Sequence, residues 1–304
     1  MKVKTVNGVT KWECGTNEEW RVERANSIGA SAVGALFGED CFKTPMQVAH
    51  VMRAELAGEF DYTETEDMID GHLLEDFVAK KFALKSGYKI IEASAAETIL
   101  RRECIPFMHA SLDRVYWVDD RGPKSGKIAE RNKGVLECKT TRMDIDPDNL
   151  PVKWILQLMV QMGISGYHHG HIAWYVKPTC TFGYRHFDFD QEIFDACVEV
   201  CGEFWQRCII GGEEPDPINA KDMSIMYPKH TAGKTMTVSA NIREQLAELK
   251  EMRVLYNELE KQMMEKTDGI KVMFKDEEAM VDSDGNVLCT YKTNSRGMRQ
   301  LLIK

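Results

Sequence analysis

Residues Gly134 to Thr141, GVLECKTT, place a glutamate and a lysine two positions apart inside a strand-like run. Side chains alternate across a strand, so Glu137 and Lys139 share a face with Val135, and Leu136 and Cys138 point the other way. A carboxylate beside an ammonium on a sheet is either a plain ion pair or a metal ligand next to a charge stabiliser. Asp113, in HASLDRVYWV, lies 24 positions before Glu137. Two adjacent strands joined by the intervening Gly-, Lys- and Asp-rich loop can bring the two acids together, with Lys139 on the same face. Carboxylates that close repel, and a hard divalent cation removes the cost. Mg²⁺ keeps several waters and needs only a few carboxylates. Such an ion can activate water and neutralise charge developing on a phosphodiester, leaving Lys139 to orient the water or stabilise the charge. Glu75 is a candidate third acid. Gln157 can hold either the nucleophilic water or the lysine.

The elements that must position these groups follow from periodicity. Residues 18–37 read as a helix, a turn at Ser27–Gly29 and a second helix. TPMQVAHVMRAELAG forms a helix entered at Thr44-Pro45, where proline is tolerated in the first turn. Residues 66–86 form a longer amphipathic helix carrying Glu75, with Met68, Ile69, Leu73, Leu74, Phe77, Val78 and Phe82 as its apolar positions and Gly87 as its cap. The pattern then turns to period two: YKIIEAS, AETILRRE, MHASLDRVYWV, GVLECKTT, HGHIAWYV and TFGYRHFDF read as strands. Between the fourth and fifth lies a helix over residues 151–163, which carries Trp154, a core candidate, and Gln157. QEIFDACVEVCGEFWQRCIIGG closes the array as a helix. This predicts an α/β domain over residues 13–215.

GGEEPDPINAKD, residues 211–222, has the composition of a linker. Residues 216–304 are expected to form a separate tail. In it Ile242, Leu246, Leu249, Met252, Tyr256, Leu259 and Met263 step by three and four, the pattern of a long helix with a narrow, coiled-coil-like seam. DSDGNVLCTYK follows as a hairpin closed at Asp284-Gly285.

The chain has 304 residues, 43% hydrophobic and 29% charged, a globular composition. It has no stretch of the roughly 18 apolar residues that would span a bilayer, and its first residues lack the apolar core of a signal peptide. A cytoplasmic location is therefore expected. Nine scattered cysteines fit reduced, packed thiols. A net charge of −9 argues against a broadly basic nucleic-acid binder but leaves room for local basic clusters, such as Lys124, Lys127, Arg131 and Lys133.

The order of the groups is more specific than any one of them: acid on a helix, Asp at a strand, Glu-x-Lys on the next strand, Gln on a helix. It resembles the PD-(D/E)XK nuclease superfamily. EEWRVERANSIGASAVGALFG, DGHLLEDFVAKKFALKSGYKI, HASLDRV, GVLECKTT and WILQLMVQMGISG together resemble its YqaJ-like viral recombinase branch, which includes lambda exonuclease. The resemblance spans about residues 18–215, and the tail also resembles that of longer members. It implies a central mixed sheet flanked by helices and Mg²⁺-dependent 5′→3′ digestion of double-stranded DNA, with Mn²⁺ able to substitute. It assigns metal binding to Asp113, Glu137 and the carbonyl of Cys138, catalysis to Lys139, and supporting roles to Glu75 and Gln157. Arg24, between Trp20 and the Ile28–Ser31 turn, is implied to grip a 5′-phosphate. A guanidinium forks onto phosphate oxygens, and Ser31 can add a hydroxyl and backbone amides. The resemblance further implies a trimeric ring, a single-strand annealing protein as partner, 3′ single-stranded tails as product, and a phage or prophage origin.

The chain departs from the family in two places. Leu112 stands where the family name has proline, and the loop between Asp113 and Glu137 is longer than in lambda exonuclease. That loop is either a DNA-contacting flap or a surface hairpin. Three other readings share the residues: an iron–sulfur nuclease using Cys197, Cys201 and Cys208; a PD-(D/E)XK endonuclease; and a non-catalytic DNA- or partner-binding protein. His168, His169 and His171 read as solvated or packed rather than metal-bound.

Overall fold

The computed structural model describes residues 1–40, 42–60, 65–93, 98–117, 133–293 and 297–304. Lys124, Lys127 and Arg131, and with them the question of a DNA-contacting flap, lie outside the described residues. The chain divides into two compact units, Met1–Lys229 and His230–Lys304.

The first unit opens with β1 (Lys2–Val6), β2 (Val9–Glu13) and α1 (Asn17–Ala25). Next come β3 (Ile28–Gly29), a 3₁₀ turn over Ala30–Ala32, α2 (Val33–Leu36), α3 (Pro45–Leu56) and α4 (Glu66–Ser86). Four strands follow: β4 (Lys89–Ala93), β5 (Thr98–Arg102), β6 (Ile105–Ala110) and β7 (Arg114–Trp117). After β8 (Lys133–Thr141) come α5 (Val152–Ser165), β9 (His169–Val176), β10 (Thr181–Asp188), α6 (Gln191–Phe204) and α7 (Ala220–Met226). One sheet has the order β1-β2-β5-β6-β3 and the other β10-β9-β8-β7-β4. The pairs β3·β6 and β8·β9 are parallel; the remaining neighbours are antiparallel.

Local chemistry sets the helix bounds. Thr65 caps α4 by accepting from the Met68 N–H, Glu66 and Asp67 favour its positive end, and Gly87 closes it with φ 77°. Burial then follows β8, whose faces serve different cores. Val135 packs in the larger cluster under α5, with Leu158 and Met162; Leu136 packs in a smaller one under α4, with Val78 and Phe82. Each such aliphatic or aromatic side chain contributes about 1.5–3 kcal/mol on burial.

Several expectations need correction. MHASLDRVYWV is two strands rather than one. The chain leaves the first sheet after Ala110 and enters the second at Arg114. The corner is fixed by the Ser111 hydroxyl, which donates to the Thr98 carbonyl (2.8 Å), and by Leu112, which is buried in the core. The fold also begins before residue 13, because β2 pairs along β5 and carries β1 with it. On α4, only the C-terminal part is buried. Met68, Ile69, Leu73 and Phe77 remain exposed, and Met68, Gly71, His72 and Glu75 of this stretch line the cleft described below. Ion pairs hold it instead, with Lys177 on Asp67 (2.8 Å) and Asp70 (3.1 Å).

The expected boundary at 215/216 also falls inside the compact unit. Arg53 of α3 binds Glu214 (2.7 Å) and the Glu213 carbonyl (2.5 Å). Asp222 is fully buried and accepts from Thr44 Oγ1 (2.7 Å) and Gln47 Nε2 (3.1 Å). The linker-like composition of residues 211–222 therefore belongs to a strap fastened onto α3.

The second unit contains α8 (Ala240–Lys271) and a three-stranded antiparallel sheet of β11 (Ala279–Val281), β12 (Val287–Thr293) and β13 (Arg299–Ile303). The hairpin between β11 and β12 turns through Asp284-Gly285, with Gly285 at φ 84°. No residue of α8 is buried, so its apolar seam faces outward. Among the described residues no helix is long and apolar enough to cross a membrane.

Candidate active site

The β7·β8 ladder sets Arg114 opposite Leu136, so Asp113 emerges beside Glu137 just as β7 begins. There the Asp113 carboxylate takes the place of a strand neighbour and accepts from the Cys138 N–H at 2.7 Å. Glu137 is 2% exposed and fully engaged. Lys139 Nζ lies 2.6 Å from Oε1, as does Gln157 Nε2, and Gln161 Nε2 donates to Oε2 at 2.6 Å. Gln157 Oε1 in turn accepts from Lys139 at 2.8 Å. The pairing of Glu137 with Lys139 on one strand face is as the alternation predicts.

Gln161 is one residue that the sequence reading missed. It stands one turn from Gln157, the spacing that puts both on one helix face, and this signal was available. Fully buried, it bridges Glu137 and the Ser111 carbonyl (3.0 Å), tying the acid to the corner that carries Asp113. Among the described residues its Oε1 has no hydrogen-bond partner.

Charge crowding sets the electrostatics. Burial, then the charges of Glu137 and Glu75, push the Asp113 carboxyl well above the usual aspartate range. Burial opposes the charge on Lys139, but Glu137 and Asp113 outweigh it and raise its pKa above the ordinary lysine value. Glu75 reaches the same cleft from α4 but is bound by the buried Arg114, which also donates to the Asp113 carbonyl (2.6 Å). Arg114 was missed as well; its place directly after Asp113 did not foretell a partner on a distant helix.

The acids, Lys139 and Gln157 line a cleft of about 500 Å³, together with Glu75 and Cys138. Arg24 and Ser31 line the same cleft. The eight residues given a catalytic, metal or phosphate role from sequence therefore line one cavity. Arg24 stacks on Trp20, 5.0 Å from the ring centroid. The neighbouring acids are engaged elsewhere: Glu23 pairs with Arg101 (2.9 Å), and Glu19 accepts from the Gly15 N–H (2.7 Å).

The other candidates are placed elsewhere. Cys197, Cys201 and Cys208 pack in the apolar core, and so does Trp154. His171 is buried beside the Tyr116 hydroxyl (2.9 Å), and burial, then His186 and His169, push it down to about 3.

Residues 19–168 match the family described as the YqaJ-like viral recombinase domain. A protein named YqaJ, from Bacillus subtilis (strain 168), is 27% identical over 275 residues, which is 86% of this chain and 80% of that protein. The crystal structure of the alkaline exonuclease LHK-Exo from Laribacter hongkongensis superposes with a TM-score of 0.50 at 15% identity, over 64% of this chain and 93% of its own. Its complex with dAMP gives a TM-score of 0.51. The fold is thus the expected mixed α/β core with flanking helices, shared with these exonuclease structures.

Proposed function

We propose, from the match of residues 19–168 to the YqaJ-like viral recombinase domain, that the chain is a 5′→3′ exonuclease on double-stranded DNA. The observation that carries this reading is the single cleft shared by Asp113, Glu137 and Lys139 with Arg24 and Ser31. Phosphodiester chemistry and a grip on a strand end then lie within one cavity.

The donor set suits a hard divalent cation, Mg²⁺ or Mn²⁺. Burial and two neighbouring acids push the Asp113 carboxyl well above the usual aspartate range, and a cation relieves that repulsion. Asp113, Glu137 and the Cys138 carbonyl would hold the ion. When bound, it supplies Lewis acidity toward the scissile phosphodiester and the attacking water.

The chain's own residues do the rest. Lys139, held charged by its acids, meets negative charge developing on the phosphate oxygens. Gln157 fixes both Lys139 and Glu137, so neither drifts as substrate enters. Arg24 presents a forked donor to a 5′-terminal phosphate, with Ser31 beside the cleft at the 3₁₀ turn. Resection of this kind leaves 3′ single strands for an annealing protein. It suits a phage-type recombinase acting in the host cytoplasm as a homotrimeric ring.

The test is linear duplex with 5′-phosphate or 5′-hydroxyl ends, with and without Mg²⁺, beside a closed circle. Release of mononucleotides from the phosphorylated linear duplex, dependent on the metal and absent on the circle, is expected. Cutting of the circle would replace the exonuclease with an endonuclease. Binding without cleavage under either ion would leave a non-catalytic DNA-binding protein.

A further inference from the structure

The wall of the cleft beside Gly29 and Ser31 includes His109 of β6, to which the sequence reading gave no role. We propose that His109 is a specificity-determining contact of the terminal phosphate, a neutral imidazole whose Nε2–H donates to an oxygen of the group that Arg24 grips. The inference rests on the end-binding reading above and adds to it a second, uncharged reader of the same phosphate.

Three observations converge. First, the parallel β3·β6 pairing sets His109 directly across from Gly29, at the start of the turn that carries Ser31. The ring is therefore placed by backbone register and is 2% exposed.

Second, its other nitrogen is committed. His109 Nδ1 lies 2.9 Å from Ser27 Oγ, and that oxygen already accepts from Arg101 Nε at 3.1 Å. Arg101 is itself anchored on Glu23. A buried hydroxyl that accepts from a guanidinium still has a proton to place, and Nδ1 is the acceptor in reach. With Nδ1 accepting, the ring proton belongs on Nε2. Burial, then the charges of Arg24 and Arg101, hold the imidazole well below its ordinary pKa, so it remains a neutral donor.

Third, the approach to Nε2 is kept open. A Cβ on Gly29 would stand 3.0 Å from Nε2 and 3.2 Å from Cε1. Gly29 has φ −74° and ψ 146°, a conformation open to any residue. The backbone does not require glycine here. Its missing side chain leaves room beside the Nε2 edge, where Gly29 and His109 both line the cleft.

The experiment compares initial rates on 5′-phosphate and 5′-hydroxyl duplex for the wild type and four variants of the full chain: Arg24→Ala, His109→Asn, His109→Gln and Gly29→Ala. Asparagine can still pair with Ser27 but has nothing at the Nε2 position, and the phosphate-to-hydroxyl ratio should fall about tenfold, the scale of one hydrogen bond to a charged group. Glutamine carries an amide N–H to that position and should recover part of the ratio. Gly29→Ala keeps the histidine but covers its edge, and should lower the ratio alone, even if the His109 variants fail to fold. Nitrogen-15 spectra should show Nε2 protonated and Nδ1 bare, with the Nε2 signal moving on addition of a 5′-phosphorylated oligonucleotide. A proton on Nδ1, or wild-type ratios in both His109→Asn and Gly29→Ala while Arg24→Ala loses its ratio, would overturn the role of His109 alone. An unchanged ratio in Arg24→Ala would overturn the end-binding reading beneath it.

Discussion

Asp222 and Asp113 are two carboxylates of one compact unit, and the fold treats them in opposite ways. Around Asp222 every neighbour donates. Thr44 and Gln47 bind one oxygen, and the N–H groups of Ile218 (2.8 Å) and Asn219 (3.4 Å) bind the other. Burial works to raise its pKa, but these donors prevail and it is lowered. Asp113 has one backbone donor, Cys138, and two acids for neighbours, and its pKa is raised. The first arrangement stabilises the fold as it stands. The second is a crowding of like charge that Lys139 and Arg114 relieve only in part, and perturbation of this kind marks sites built for a ligand or for chemistry. The contrast separates a structural latch from a candidate catalytic centre without reference to any relative.

The largest effect that can test this contrast is at the crowded end. Lys139→Ala should lower cleavage by about 10²–10³-fold or more, the scale of removing one charge-stabilising donor. It should retain Mg²⁺ binding by calorimetry, since both carboxylates remain. Asp113→Ala and Glu137→Ala should lose both properties. A near wild-type rate in Lys139→Ala would remove the active-site reading.

Gln161→Leu should come next. It strips a donor from the buried Glu137 and cuts its tie to the Ser111 corner, so cleavage should slow by about 10–100-fold, as for partners that orient metal ligands. Weakened Mg²⁺ binding in the same variant would separate this loss from a general loss of fold, which circular dichroism would report. Unchanged kinetics would make Gln161 a packing residue only.

At the latch, Asp222→Asn should leave cleavage per folded molecule unaltered and lower stability by about 1–3 kcal/mol, because an amide cannot accept from all four donors. Urea titration measures it. The same contact carries a pH dependence. The folded pKa of Asp222 is depressed, so its stabilisation is present above the ordinary aspartate value of about 4 and is lost as pH falls through the folded value. Wild type should therefore lose stability on acidification more steeply than Asp222→Asn, and parallel curves would show that the latch is not ionic.

The smallest effect concerns chain length. Ending the chain after Lys229 should leave the melting temperature of the first unit and its cleavage rate near those of the full chain, because the latch is kept. Ending it at 215 removes Asp222 and should lower the melting temperature. Equal melting of the two truncations would return the boundary to the linker-like composition at 211–222.

The sequence alone reached far into this molecule where the determinants are local. The bounds of α4 at 66–86 follow from a threonine cap, two acids in the first turn and a left-handed glycine, all within the helix or adjoining it. Strand alternation placed Glu137 and Lys139 on one face, because a period of two needs no knowledge of the partner strand. The order of five motifs indicated the family. Only the tertiary structure decided the rest. The break at Ser111–Asp113 depends on a carbonyl of β5 and on buried packing, neither of which is visible in a run that reads as continuous strand. The partnership of Arg114 with Glu75, the bridge from Gln161 to Ser111, the relay from Arg101 through Ser27 to His109 and the latch on Asp222 all join residues distant in sequence. Periodicity and capping are energies of neighbours along the chain, so spacing reveals them. A buried polar contact exists only once register and packing have excluded water and set the two groups within about 3 Å, which no spacing encodes.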